Sequence, residues 1–376
     1  MLAASCIFAS TQTTRAQTTS LRGQLSGWTF LQDQSFEDSQ IGLRYIPEVG
    51  VTKSLGQELA IDAAVSWKWL GAGSFETPDG VWKQSEIDPY RIWLRFATAQ
   101  FEARAGLQKI NFGPALLLRP LMWFDRIDPR DPLRLTEGVY GLLLRYTFLN
   151  NANIWLWGLY GNDDPKGWEI IPPKKNSFEY GGRVQYPLLN GEIAFSYHRR
   201  EADLNRSLNV KASIPVFIPE QRFALDGTWD AGVGLWFESA VIHQDFDIFP
   251  FTYSNFFLIG TDYTFGVGNG IHVLAEHLLL TLSRKPLGNN EDFNLSALSV
   301  DYNLGLLDRL QAIVFYSWDV EQFFRFVSWG RFYDNWSIYV NAFWNPHDVS
   351  ALGFQSDVQS SFGGGLGLQV MVVLNH

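Results

Sequence analysis

Between Trp123 and Leu133 the chain reads WFDRIDPRDPL, with Asp125, Asp128 and Asp131 spaced among Arg126, Arg130 and two prolines. Three carboxylates this close could hold a hard cation through oxygen ligands. The interleaved Arg126 and Arg130, with Arg134 just beyond, would repel the ion, so the stretch reads better as the charge-rich tip of a loop. The prolines bar a regular helix or a central strand. Catalytic sets are poor elsewhere. His272 and Glu276 can share one strand face, but no serine partner accompanies them, and the six histidines are scattered. A single cysteine allows neither an internal disulfide nor a Cys-based metal site. The expectation is a protein that is not an enzyme and needs no cofactor.

The elements that must position this loop are strands. In ELAIDAAVSWKWL, the residues Leu59, Ile61, Ala63, Val65, Trp67 and Trp69 share one face and Glu58, Asp62, Ser66 and Lys68 the other. YRIWLRF sets Ile92, Leu94 and Phe96 against Arg91, Trp93 and Arg95. Such period-two alternation is the signature of a strand with two different environments. About 18 such segments recur (16–18 allowing for uncertain ends), from 20–31 through 57–70, 88–99 and 101–111 to 362–374, each near the roughly 9–11 residues that cross a bilayer as a tilted strand. Their connections alternate between tight Asn/Asp/Gly turns, as at Asn150-Asn151, and longer stretches such as 71–87, 112–135 and 162–176. One end with short turns and one with long loops is the rhythm of an outer-membrane barrel.

Composition agrees. Charged residues make up 18% and aromatics 15%, and the net charge of −10 argues against nucleic acid as a partner. No apolar run approaches the roughly 18 residues of a spanning helix. A propeller would repeat with a sequence signature, and none is present. A soluble barrel of this size could not fill its interior with side chains. The fold expected is therefore all-β, a transmembrane antiparallel up-and-down barrel over residues 17–376, apolar face to lipid and polar face to a wet lumen. The opening MLAASCIFASTQTTRAQ reads as the remnant of a secretory signal over residues 1–16, cleaved after Ala16.

In that frame Arg91, Arg95, Arg104, Arg145 and Arg183 point inward, because arginine on the lipid face costs about 2–4 kcal/mol at mid-bilayer. Glu102 and Glu179 lie among them. Asp226, Asp230, Glu238, Asp262, Glu276 and Asp301 follow on later strands. Two arrangements fit: a basic arc facing an acidic arc across a pore, or charges that pair between neighbouring strands. The apolar run from Leu116 to Phe124 cannot sit in water without binding something. Folding the 112–135 loop into the barrel would bury it and constrict the pore; capping the mouth is the alternative. The loop residues at issue are Trp123, Asp125, Arg126, Asp128, Arg130, Asp131 and Arg134. Trp93, and Trp155 or Trp157 if they face inward, could stack on sugars.

The stretch RAGLQKINFGPALL resembles the strand-then-loop motif of the alginate-export and related porin-like outer-membrane channel families, through Gly106, Gln108 and Gly113, with Leu107 where those families carry Arg. The resemblance implies a monomeric barrel of about 18 strands that passes an acidic polysaccharide or small solutes along an Arg-lined path. The final GGGLGLQVMVVLNH resembles the C-terminal strand signal read by the barrel-assembly machinery, ending in His376 where that signal usually ends in Phe. The function expected is a porin-like channel for small polar or anionic solutes or saccharides. Its partners would be outer-membrane lipid and the assembly machinery.

Overall fold

The computed structural model describes residues 17–32, 39–56, 58–74, 84–207, 216–246, 250–346 and 364–376. The signal-like segment 1–16 lies outside the described residues. The strands are β1 (Gln17–Gln32), β2 (Gln40–Ser54), β3 (Ala60–Ser74), β4 (Gln84–Ala97), β5 (Phe101–Gln108), β6 (Val139–Thr147), β7 (Asn153–Tyr160), β8 (Phe178–Leu188), β9 (Gly191–Asp203), β10 (Phe217–Asp230), β11 (Gly234–Gln244), β12 (Tyr253–Phe265), β13 (Ile271–Ser283), β14 (Glu291–Asn303), β15 (Asp308–Ser317), β16 (Gln322–Phe332), β17 (Trp336–Asn345) and β18 (Gly365–Asn375). One helical turn, Leu204–Ser207, follows β9.

Every strand pairs antiparallel with its sequence neighbours, and β1 pairs with β18 from Gln24↔Asn375 to Gln32↔Gly367, so the sheet closes with no free edge. Closure matters in lipid, where an unpaired strand edge has no water to satisfy it. At the seam the Gly23 N–H donates to the His376 carbonyl (2.9 Å) and the His376 N–H to the Gly23 carbonyl (3.0 Å). The imidazole meets the Tyr45 hydroxyl at 3.0 Å. A Cβ at Gly23 would collide with that ring.

The alternation is inverted relative to a soluble protein. Val184 is 52% exposed while its chain neighbour Arg183 is 4% exposed. Leu94, Leu142, Leu156 and Ile259 are likewise exposed on the outer face. Outward aromatics gather near both ends: Tyr146, Phe148, Tyr263 and Trp336 by the short turns, Tyr160, Phe178 and Tyr180 by the long loops. Paired aromatic girdles are the mark of a transmembrane barrel. One connection breaks the long–short rhythm: β15 and β16 are joined at the long-loop end by residues 318–321 alone.

The interior departs from a uniformly polar wall. The main apolar cluster lies inside the barrel. It unites Leu258, Leu274, Leu278, Ile313, Phe315, Phe326 and Phe343 from the wall with Ile110, Phe112, Leu117, Leu118, Leu121, Trp123 and Phe124 from the β5–β6 connection. Part of each of several strands from β12 to β17 is thus apolar on both faces, one toward lipid and the other toward this cluster.

Candidate functional site

The loop leaves β5 through the residues singled out by motif. Gly106 has φ +117°, a conformation that favours glycine, and a Cβ there would collide with the Ile92 carbonyl. The Gln108 amide donates to the carbonyls of Arg104 (2.9 Å) and Gly141 (3.0 Å), tying β5 to β6 where the chain turns inward. At Gly113, φ is +89° and any side chain would strike the Glu238 carboxylate. The glycines thus let the backbone turn and come close to the wall.

Two wall carboxylates then grip that backbone. Glu276 on β13 accepts the N–H groups of Leu116 (2.7 Å), Leu117 (3.0 Å) and Leu118 (2.7 Å), and the Trp236 indole N–H at 3.2 Å. Glu238 on β11 accepts the N–H groups of Ala115 (2.8 Å) and Leu121 (3.0 Å). Both carboxylates are buried. Each such hydrogen bond is worth about 0.5–1.5 kcal/mol, and burial of Leu117, Leu118 and Leu121 adds roughly 1.5–3 kcal/mol per side chain. The run from Leu116 to Phe124 is therefore held against the barrel wall.

The charge-rich stretch is arranged within the loop itself. Arg119 bridges Asp125 (3.1 Å) and donates to Asn111 (2.6 Å). Arg130 forks onto Asp128 (2.7 Å), and that pair is buried. Asp131 accepts the N–H groups of Leu133 (3.0 Å) and Leu135 (3.2 Å), turning the chain back toward β6. The Arg126 N–H donates to the Thr136 hydroxyl (3.0 Å). Trp123 is buried between Phe112 and Phe124. Asp131 and Arg134, with Arg309, Gln311, Ser328 and Tyr339 of the far wall, line a cavity of about 370 Å³.

A second connection, residues 161–177, braces the first. The Gly167 N–H donates to the Asp125 carbonyl (2.9 Å) and the Trp168 indole to the Arg119 carbonyl (3.1 Å). Its Glu169 bridges Arg200 at 3.0 Å and also contacts Arg222. Glu220 joins both arginines, at 2.7 Å and 2.6 Å. Sequence reading did not single out Glu169, Arg200 or Glu220. The available signal was the charge density of HRRE and PEQR on strand ends, but the cluster depends on a loop whose inward path no local pattern reports.

The basic and acidic residues of the wall meet more often along it than across it. Arg183 clasps Asp226 with two bonds, at 2.6 Å and 2.7 Å, and also donates to Ser196. Glu179 faces His198 at 3.2 Å. Asp262 meets His272 at 2.9 Å, and Asp301 accepts from Arg309 (2.9 Å) and Gln311 (3.3 Å). Asp230 caps its own turn by accepting the Gly232 N–H (3.0 Å).

The wall from β3 to β6 is different. Arg95 pairs with Asp62 (2.7 Å) and with Glu102 (3.4 Å), and Arg104 takes the other oxygen of Glu102 (2.9 Å). Arg91 donates to the carbonyls of Tyr90 and Thr136, the latter at 2.7 Å. Arg145 lies over Trp155 at 4.1 Å and Arg104 over Trp93 at 5.1 Å. Among the described residues Arg145 has no carboxylate partner. These side chains are partly exposed rather than sealed. Trp157, by contrast, is buried in the loop core and donates to His198 (3.2 Å).

Comparison with solved structures places this geometry. The barrel is similar to an anion-selective porin from Comamonas acidovorans, with a TM-score of 0.51, 13% identity, and coverage of 96% of this chain and 100% of that one. It is equally similar to the outer membrane protein OmpT of Vibrio cholerae, at TM-score 0.51 and 13% identity over 96% and 100% of the two chains. Wzi of Escherichia coli, a carbohydrate-binding β-barrel involved in group 1 capsule assembly, matches at TM-score 0.50 and 13% identity over 94% and 84%. No family model matches the sequence, and no curated protein does. At such identities the likeness is one of fold, and in fold this chain is a porin-like outer-membrane β-barrel.

Proposed function

We propose that the protein is an outer-membrane diffusion channel whose water path runs beside the inward loop, along the charged wall of β3–β6, and that it favours small polar anions. The observation that carries this reading is one local cluster on that wall, where Arg95, Arg104 and Arg145 meet only Asp62 and Glu102. Arg95 and Arg104 share Glu102, and Arg145 rests on an indole instead of an acid. A wall with excess positive charge beside low-dielectric protein attracts anions and raises their local concentration. The anion selectivity named for the Comamonas porin is in keeping with it. Lipid around the apolar band and the barrel-assembly machinery at β18 are the partners such a channel requires.

A saccharide is the second reading. Trp93 on that wall and Trp155 on the adjoining β7 each lie beside an arginine. Wzi is described as a carbohydrate-binding barrel.

The test is conductance of refolded protein in a planar bilayer, with the reversal potential read in a salt gradient. Stable ohmic steps with a preference for anions are expected. The double variant Arg95→Ala, Arg145→Ala should move the anion-to-cation permeability ratio toward cations by on the order of twofold to tenfold, while a saccharide blocks current only if Trp93 and Trp155 are intact. Unchanged selectivity in the double variant overturns the anion reading.

A further inference from the structure

The outward face of the barrel differs from one side to the other. On β4 to β8 its middle is aliphatic, with Leu94, Leu142, Leu156 and Val184 turned to lipid. On β13, β14 and β16 it carries polar side chains. His277 is the central residue of β13 and stands in register with Ile259 and Ser296. Ile259 is exposed on the outer face, and the chain neighbour Glu276 is buried inside, so His277 and Ser296 point outward. Arg325 on β16 stands in register with Val314 and the exposed Trp344. Phe324 and Phe326, on either side of it, belong to the interior cluster. An outward arginine is the opposite of what lipid favours.

This face holds a groove of about 800 Å³, lined among others by Phe237, Ala275, His277, Ser296, Tyr316 and Phe323. The Ser296 hydroxyl meets His277 Nδ1 at 2.9 Å and accepts the Trp318 indole N–H at 2.9 Å. His277 Nε2 has no partner among the described residues. At the middle of a spanning strand no water is at hand to satisfy it, and acyl chains offer no hydrogen-bonding group. Ionisable side chains at that depth pair with other protein groups. Nearer the long-loop end, the Arg325 guanidinium lies over Phe323 at 5.0 Å. It has no carboxylate partner among the described residues, and the exposed Glu321 has no cationic one. An unpaired cation and an unpaired anion on one face complement the same face of another copy, because a two-fold interface gives each copy what the other presents. The area suffices. Six strands, β11–β16, at about 4.8 Å spacing and over a band about 25 Å tall make a face of roughly 700 Å², close to the ~800 Å² per partner of a stable interface.

We propose that the outward face of β11–β16 is the interface with a second copy of this chain, side by side in the membrane, with His277 at its polar centre and Arg325 and Glu321 pairing reciprocally across it. The short 318–321 connection puts no long loop of its own between the two barrels. A monomeric barrel, which the motif resemblance implies, would leave both charges and the His277 nitrogen facing lipid. The inference is independent of which ions the lumen favours.

Native mass spectrometry of the refolded barrel, released from mild detergent over a concentration series, tests it. A dimer is expected. Arg325→Glu and Glu321→Arg should each weaken dimerisation about tenfold or more, because like charges then face one another. An equimolar mixture of the two variants should restore it, since one then presents only acids and the other only bases. His277→Leu should weaken it as well, and Leu94→Ala on the far side should leave it unchanged. Unaltered strand circular dichroism reports that each variant is folded. A barrel that stays monomeric overturns the proposal, as does an oligomer that none of these changes weakens or a mixture that associates no better than its components. A monomer that keeps a bound lipid, lost in His277→Leu, overturns it too and gives the groove to lipid.

Discussion

On β3–β6 the lumen wall gathers Arg95, Arg104 and Arg145 around Asp62 and Glu102, all partly exposed or close to it, whereas much of the wall from β8 to β17 is apolar or carries charges buried in pairs such as Arg183–Asp226. The same alternation produces both sectors. What separates them is the inward loop, which covers one side of the lumen and leaves the other to water. Charge in the covered sector acts structurally, because a buried carboxylate must be satisfied on the spot. Charge in the open sector stays partly exposed.

The comparison can be broken most forcefully at the loop's anchors. Glu276→Ala strips acceptors from three backbone N–H groups and an indole at once. It should cost at least about 3 kcal/mol and release the loop. Larger single-channel conductance and new protease cleavage within 109–138 are the readouts. Unchanged conductance would mean that the loop does not limit the path.

Asp226→Ala leaves the Arg183 guanidinium buried without its carboxylate. Breaking a buried pair in this way should lower stability by about 3–5 kcal/mol, read as the denaturant midpoint of refolded barrel, with ion selectivity little changed. A selectivity shift as large as that of the β3–β6 variants would erase the distinction between sectors. Leu118→Ala, in the fully buried part of the loop, should cost about 2–5 kcal/mol by the cavity it opens.

The smallest effect belongs to Glu137, where the loop rejoins β6. Burial pushes its carboxyl up, but the ammonium groups of Lys166 (3.5 Å) and Lys68 (3.2 Å) outweigh that and hold it below the usual carboxylate range. A depressed carboxyl stabilises the fold above its unfolded-state pKa, and that contribution is lost as pH falls through the lower folded value. Glu137→Gln should therefore weaken the barrel at pH 7, and the difference from the unaltered protein should vanish in acid below about pH 4. Because the carboxylate is only partly buried, with 41% of its side chain still open to water, screening should keep the effect under about 1 kcal/mol. A gap that persists in acid would assign Glu137 a role other than charge pairing.

The barrel was legible because its evidence is local. The stretch from Tyr90 to Phe96 declares two environments within seven residues, and the segments expected at 57–70, 88–99 and 101–111 are strands at Ala60–Ser74, Gln84–Ala97 and Phe101–Gln108. The inward arginines followed from the lipid side alone. The grip on the loop was not legible. Leu116 and Glu276 stand 160 residues apart in the chain, and a lumen-facing Glu reads the same whether it lines water or holds an N–H. The apolar part of the lumen face had a trace in stretches such as AIVFY on β15, apolar on both faces, a pattern that names no partner.

By itself the sequence determined that this chain crosses a membrane as a closed barrel of about 18 strands, since period-two alternation and turn residues are properties of neighbours along the chain. Only the tertiary structure decided which lumen charges stay partly exposed and which are buried in pairs. Partnership between side chains on distant strands, and between the wall and a loop folded inside it, depends on closure, and closure brings together residues that no local pattern relates.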